Sequence, residues 1–163
     1  MATDHLLEYG HEKIGSITGP LKNDIVKQRY LGYVKALEER GLSPKEDYIF
    51  EGDFKSKSGE LGAKALVKSG VTAIFAHNDL MAYGVYKVAY ELGLNIPQDL
   101  SIVGFDDIYT SKALIPPLTS VRQPAHDMGL MAAKILIGGI KGQRPDVVKK
   151  EFTPVLSKRK SVA

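Results

Sequence analysis

With 163 residues and a net charge of +3, the chain has the length for one domain with a substantial core, and its scattered bases do not form a nucleic-acid surface. A hydrophobic share of 44% excludes disorder as the default, and zero cysteines exclude disulfides, thiol nucleophiles and cysteine zinc sites. No apolar run reaches the ~18 residues of a membrane span, and "MATDHLLEYG" carries an acid where a signal peptide needs bases, so a soluble, cytoplasmic protein without membrane partners is expected.

Along the chain one pattern recurs: a short apolar run, a polar junction, then a helical stretch closed by glycine. "KIGSITG" (13–19) leads into a helix with Val26, Tyr30, Tyr33, Val34 and Leu37 on one face and Gly41 as its stop. "YIFEGDF" (48–54) leads into a second, with Leu61, Ala65 and Leu66 expected inward and Gly70 at the end. "VTAIFA" (71–76) leads into a third from Leu80, striped by Met81, Val85, Val88, Ala89 and Leu92 and closed by Gly93. "DLSIVGFDD" (99–107) is a fourth strand ending in carboxylates. Strands alternating with helices of this length predict an α/β fold, a doubly wound parallel sheet covered on both faces. The tail "LSKRKSVA" gathers Lys158, Arg159 and Lys160, and a solvated end is expected there.

In such a sheet the loops leaving the carboxyl ends of the strands collect at one rim, where ligands bind. Those ends read Gly19-Pro20, Asp53-Phe54, Asn78-Asp79 and Asp106-Asp107. Carboxylates and amides beside an aromatic ring suit a polyhydroxylated or heterocyclic small molecule. Asp79 reads as the cap of the third helix, with Asn78 free to offer its amide to a guest. Arg29 fits either a surface arginine or a ligand clamp, and Phe54 either core or a stacking ring. His77 has no partner at metal spacing, so no metal or other cofactor is expected. Phosphate-loop, dinucleotide and nucleophile-elbow motifs are missing, and the adjacent Asp106 and Asp107 should point to opposite faces. Binding is expected rather than catalysis.

The segments "HLLEYGHEKIGSITGP", "RYLGYVKAL", "GDFKSKSG", "FAHNDLMAYGVYKVAYELGLNIPQDLSIVGFDD" and "IPPLTSVRQP", in this order, resemble the effector-binding region of LacI/GalR-family bacterial repressors. The resemblance implies a periplasmic-binding-protein-like I fold with a flavodoxin-like lobe, sensing a sugar or nucleobase-like effector. It also implies ligand contacts at Arg29, Phe54, Asn78 and Asp106, a hinge at Gln123, and variable specificity positions at Asn23 and Ile25. Ile25 stands where many relatives have a hydroxyl, which implies a less polar patch on the ligand. A homo-oligomer is implied, with Tyr83, Leu114 and Ile115 at the dimer interface.

The same resemblance divides the chain into a C-terminal lobe of about 12–122 and 154–163, with 2–10 and 123–153 belonging in relatives to an N-terminal lobe. No recognition helix is visible, so operator DNA is expected to be reached only through an N-terminal domain missing here. Met128, Met131, Ala132, Ile135 and Leu136 would lack their usual sheet, and an oligomeric or rearranged chain is expected. The alternative is a half-domain of a transport-linked sugar-binding protein of the same fold, which the missing secretion signal disfavours.

Overall fold

The computed structural model describes residues 1–142 and 149–163. Strands β1 (Ile14–Thr18), β2 (Ile49–Glu51), β3 (Ala73–Ala76), β4 (Ser101–Asp106), β5 (Thr119–Arg122) and β6 (Val155–Ser157) form one sheet in the order β2-β1-β3-β4-β5-β6. The first five run parallel, and β6 returns antiparallel to β5. Helices are α1 (Ala2–Glu8), α2 (Asp24–Glu38), α3 (Ser56–Lys68), α4 (Asp79–Glu91) and α5 (Ala125–Ile140). Gly41, Gly70 and Gly93 follow α2, α3 and α4 at positive φ, the left-handed turn expected of helix-ending glycines.

The period-two alternation of the strands separates two cores. Ile17, Ile74 and Ile102 face α3 and α4, while Ile14, Phe75, Val103 and Val121 face α1 and α2. The sheet is therefore covered on both sides, as the sequence pattern predicts. Because β1 lies between β2 and β3, the chain crosses outward in one direction after α2 and in the other after α3, which places the switch in strand order at the carboxyl end of β1.

Several side chains lie elsewhere than their spacing implies. Leu61, Ala65 and Leu92 are exposed; Leu66 is buried as expected, and α3 buries Gly59, Gly62 and Ala63 beside it. A Cβ at Gly59 would overlap the backbone of Met81, and one at Gly84 the backbone of Ser56. α3 and α4 thus pack backbone to backbone, which turns the face of small residues inward and the larger Leu61 out. Leu6 and Leu7 of α1 are buried with α2 and the sheet, so this helix has its partner inside the chain.

The tail is not a solvated end. Ser161 and Val162 are buried, and the Ser161 hydroxyl donates to the Ile102 carbonyl at 2.6 Å while accepting the Thr119 amide at 2.8 Å. Arg159 pairs with Asp107 at 2.7 Å and donates to the Leu118 carbonyl at 2.6 Å. Only Lys158 and Lys160 of the three bases are exposed.

α5 buries none of its 16 residues. Leu136 and Ile140 are 67% and 77% exposed, and Met128, Leu130 and Ile137 also face solvent. Of the stretch 123–153, residues 143–148 lie outside the described ones. Each large apolar side chain left in water forgoes about 1.5–3 kcal/mol, so self-association through α5 is expected. Light scattering should find the 163-residue chain larger than a monomer, and Leu136→Lys with Ile140→Lys should shift it toward one; a monodisperse wild-type monomer would contradict this.

Candidate functional site

The rim at the carboxyl ends of β1 to β4 collects the residues expected there. Arg29, one turn inside α2, lies with its guanidinium carbon 3.5 Å from the centre of the Phe105 ring and donates through Nη1 to the His77 carbonyl. Burial works against its charge, and the carboxylate of Asp106 supports it. Asp106 accepts a hydrogen bond from Gln123 Nε2 through Oδ1 at 2.8 Å. Burial raises the Asp106 carboxyl above the usual carboxylate range, and the Gln123 bond and Arg29 pull the other way. A donor and an acceptor thus lie within electrostatic reach of each other, partly withdrawn from water, where polar interactions gain strength.

Asn78 corrects the capping assignment. Its Oδ1 accepts the Met81 amide at 2.9 Å, so Asn78 is the N-cap of α4, and its Nδ2 donates to the Phe54 carbonyl at 2.9 Å. Both ends of the amide are engaged within the chain. Asp79, expected as the cap, is the first helical residue, and its carboxylate is claimed by Ile108, Ser111 and Ser120 instead. Two neighbouring polar residues compete for one cap, and only the longer-range partners decide between them.

The bond from Asn78 holds Phe54 in place. Phe54 sits at φ +68, and its ring lies so close to Gly19 that a Cβ there would overlap it. Among the described residues the three non-glycine positive-φ positions are Phe54, Asp106 and Asp107, the first and last in loops and Asp106 the final residue of β4, all at this rim. Such conformations cost of order 1–3 kcal/mol each and persist where surrounding contacts fix them, as at ligand sites. Asp106 and Asp107 diverge as expected: the first turns to Gln123 and the second to Arg159 and Ser157, whose hydroxyl donates at 2.7 Å.

Asn23 and Ile25 stand at the entrance to α2. The Asn23 Oδ1 accepts the Ile25 amide at 2.9 Å as its N-cap, and Ile25 is 71% exposed. Beside the rim, Phe105, Gln123, Pro124, Met128, Phe152 and Pro154 contribute to a cavity of about 270 Å³. On the far side of α4, the Tyr83 hydroxyl meets Thr110 and Ser111, Leu114 packs on the core and Ile115 is 92% exposed. Among the described residues no cluster of three or more His, Asp or Glu could hold a metal ion.

Phe105 is a rim residue that the sequence pattern does not single out, and His77 enters that pattern only as a metal ligand without a partner. Phe105 reads as one more apolar strand residue, and its place under Arg29 depends on how α2 lies on the sheet. His77 is fully buried, with Nε2 3.0 Å from Ser16 Oγ and its ring centre 4.6 Å from that of Phe75.

The matching family model, periplasmic binding protein-like domain, covers residues 3–162. The chain belongs to this family, in the form found in LacI-family regulators. It is 38% identical over 165 residues to an HTH-type transcriptional repressor PurR of Edwardsiella ictaluri, covering 100% of this chain and 48% of that protein. The structure of the transcriptional regulator CelR in complex with cellobiose has a TM-score of 0.92 and 34% identity, with 98% of this chain and 50% of that one covered. A LacI-family regulator from Enterococcus faecium with bound ribose gives 0.92 and 31%, with 99% and 61% covered. The chain spans about half the length of the curated relatives it matches. Among the described residues no helix is long and apolar enough to cross a membrane.

The buried imidazole makes a prediction about acid. Burial foremost, then Arg29, lowers His77 from its ordinary 6.5 to about 3, so the folded state keeps it neutral while the unfolded chain binds the proton. Its stabilising contribution is complete above pH 6.5 and is lost progressively down to about pH 3. His5 and His11, also lowered chiefly by burial, add to the same trend. Thermal melts should fall in midpoint across this window, and His77→Gln should flatten the fall. An equally steep fall in the variant would contradict the assignment.

Proposed function

We propose that these residues are the effector-sensing and dimer-forming domain of a LacI-type bacterial transcriptional regulator, taking a sugar or nucleobase-like molecule at the rim. The observation that carries this reading is the linked cluster Gln123–Asp106, Arg29–Phe105 and Asn78–Phe54 at the strand ends. Arg29 donates to ligand oxygens, Asp106 accepts from adjacent hydroxyls or ring N–H groups, and Phe54 covers the apolar face of the ring. Asn78 contributes through Phe54, which it holds, and Gln123 through Asp106. Asn23 and Ile25 border the entrance, Ile25 against a less polar part of the guest.

The relatives support a regulator over an enzyme or a transport protein, since proteins 38% identical over 99–100% of this chain are named transcriptional repressors. Bound cellobiose and ribose in two of the structural relatives support a sugar-like guest. Tyr83, Leu114 and Ile115 form the face met by a second copy. We assign 12–122 and 154–163 to the lobe bearing the rim, with α1 packed on it, and α5 to contacts with a second lobe. Operator DNA would be reached by a part of the regulator outside these 163 residues.

Amide-detected NMR titration with ribose, cellobiose and purine nucleobases tests the reading. One of these should shift the Phe54, Asp106 and Gln123 amides in a saturable way. Arg29→Ala and Asp106→Asn should each weaken it about 10- to 100-fold, the worth of a hydrogen bond to a charged group, without unfolding the chain. Shifts confined to residues away from the rim, or unchanged affinity in both variants, would contradict it.

A further inference from the structure

One buried carboxylate joins the rim to the outer face of α4. Asp79 Oδ1 accepts from Ser120 Oγ at 2.6 Å, and Oδ2 accepts from Ser111 Oγ at 2.5 Å and from the Ile108 amide at 2.9 Å. Toward the rim, Ser120 Oγ also accepts the Asp107 amide at 3.1 Å, which fixes the peptide following Asp106. Toward the outside, Ser111 Oγ lies 2.9 Å from the Tyr83 hydroxyl, itself 2.6 Å from Thr110 Oγ1.

The direction of every bond follows from Asp79. As a carboxylate it only accepts, so Ser111 and Ser120 spend their single protons on it. The Ser111 oxygen therefore accepts from Tyr83, and the Tyr83 oxygen accepts from Thr110. Two hydrogen-bond chains thus converge on one group, from the Asp107 amide on one side and from Thr110 on the other, and aligned bonds of this kind polarise and strengthen one another. There is little slack in the joint: a Cβ at Gly104 would overlap Asp79 Oδ1. Asp106 and Asp107, at φ +103 and +52, hold a backbone conformation that depends on such external bonds.

We propose that Asp79 is a positioning residue for Asp106 and the relay between the ligand rim and the face around Tyr83. A change in hydrogen bonding at Tyr83, such as a second copy covering that face imposes, alters how Asp106 is presented. Occupancy of the rim acts back on the outer face to the same extent in free energy. The proposal rests on the sensing role given above and names its regulation.

The test needs no ligand. Amide hydrogen exchange is measured on the wild-type chain, on Tyr83→Phe, which removes the outer hydroxyl, and on Ser120→Ala, which removes the rim-side link. Tyr83→Phe should speed exchange of the Asp107 amide about three- to thirtyfold relative to the amides of β1 and β3, which report any loss of overall stability, and Ser120→Ala should do the same for the Ser111 amide, which donates to the Ile108 carbonyl. A purely local structural role would leave the distant amide as in wild type, and that result in both variants would overturn the relay. Asp79→Asn adds a check where it folds: both ends should loosen together, and loosening of one alone would count against the proposal. Failure of ribose, cellobiose or nucleobases to bind bears on the sensing role and leaves this exchange result standing.

Discussion

The rim depends on one guanidinium kept largely out of water. Arg29 is carried by α2, yet its contacts are the ring of Phe105 in β4, the carbonyl of His77 at the end of β3 and the charge of Asp106. A desolvated cation is costly unless each of these partners is in place, so the arginine ties a helix to two strand ends. The same stack leaves the carboxylate of Asp106 beside a fixed positive charge, facing Gln123 at the start of the crossing to α5. Phe54 is then brought to the opposite side of the rim by Asn78, whose amide links the loop after β2 to the cap of α4.

Around this cluster the chain uses polar groups where a simpler sheet would use apolar ones. Ser16, His77, Asp79, Ser120 and Ser161 are all buried, and each has at least one partner from a distant segment. Such groups add little net stability, but a shifted register would leave them unpaired, so they narrow the ways in which the strand ends can meet. The tail contributes to this arrangement, with Arg159 and Ser157 holding Asp107 away from Asp106. A rim built in this way presents a donor, an acceptor and a ring in fixed relation, which is what recognition of a small polyhydroxylated or heterocyclic molecule requires.

Much of the architecture was legible from local pattern. Apolar runs of strand length, helical stripes and glycine stops define the doubly wound sheet, because period and backbone conformation are short-range properties. What escaped is long-range. Spacing puts Leu61 inward, but the close approach of α3 and α4 through Gly59 and Gly84 rotates it out. Asp79 looks like a cap until Ser111 and Ser120 are seen to claim it, and Arg159 looks solvated until Asp107 faces it. Arg29, Phe54, Asn78 and Asp106 were singled out as strand-end or motif residues; Phe105 was not, and His77 was weighed only as a metal ligand, since their part is to hold Arg29 and no spacing encodes that.

The central claim is that Arg29 is immobilised against Phe105 at the point where the strand ends meet. Nitrogen-detected NMR of the arginine side chains tests it most directly, with the exposed Arg40 and Arg122 as internal references. The account predicts Arg29 guanidinium signals shifted upfield by the ring, slow to rotate and slow to exchange with water, with the shift lost in Phe105→Leu. Signals that coincide with those of Arg40 and Arg122 and ignore the Phe105 substitution would contradict it.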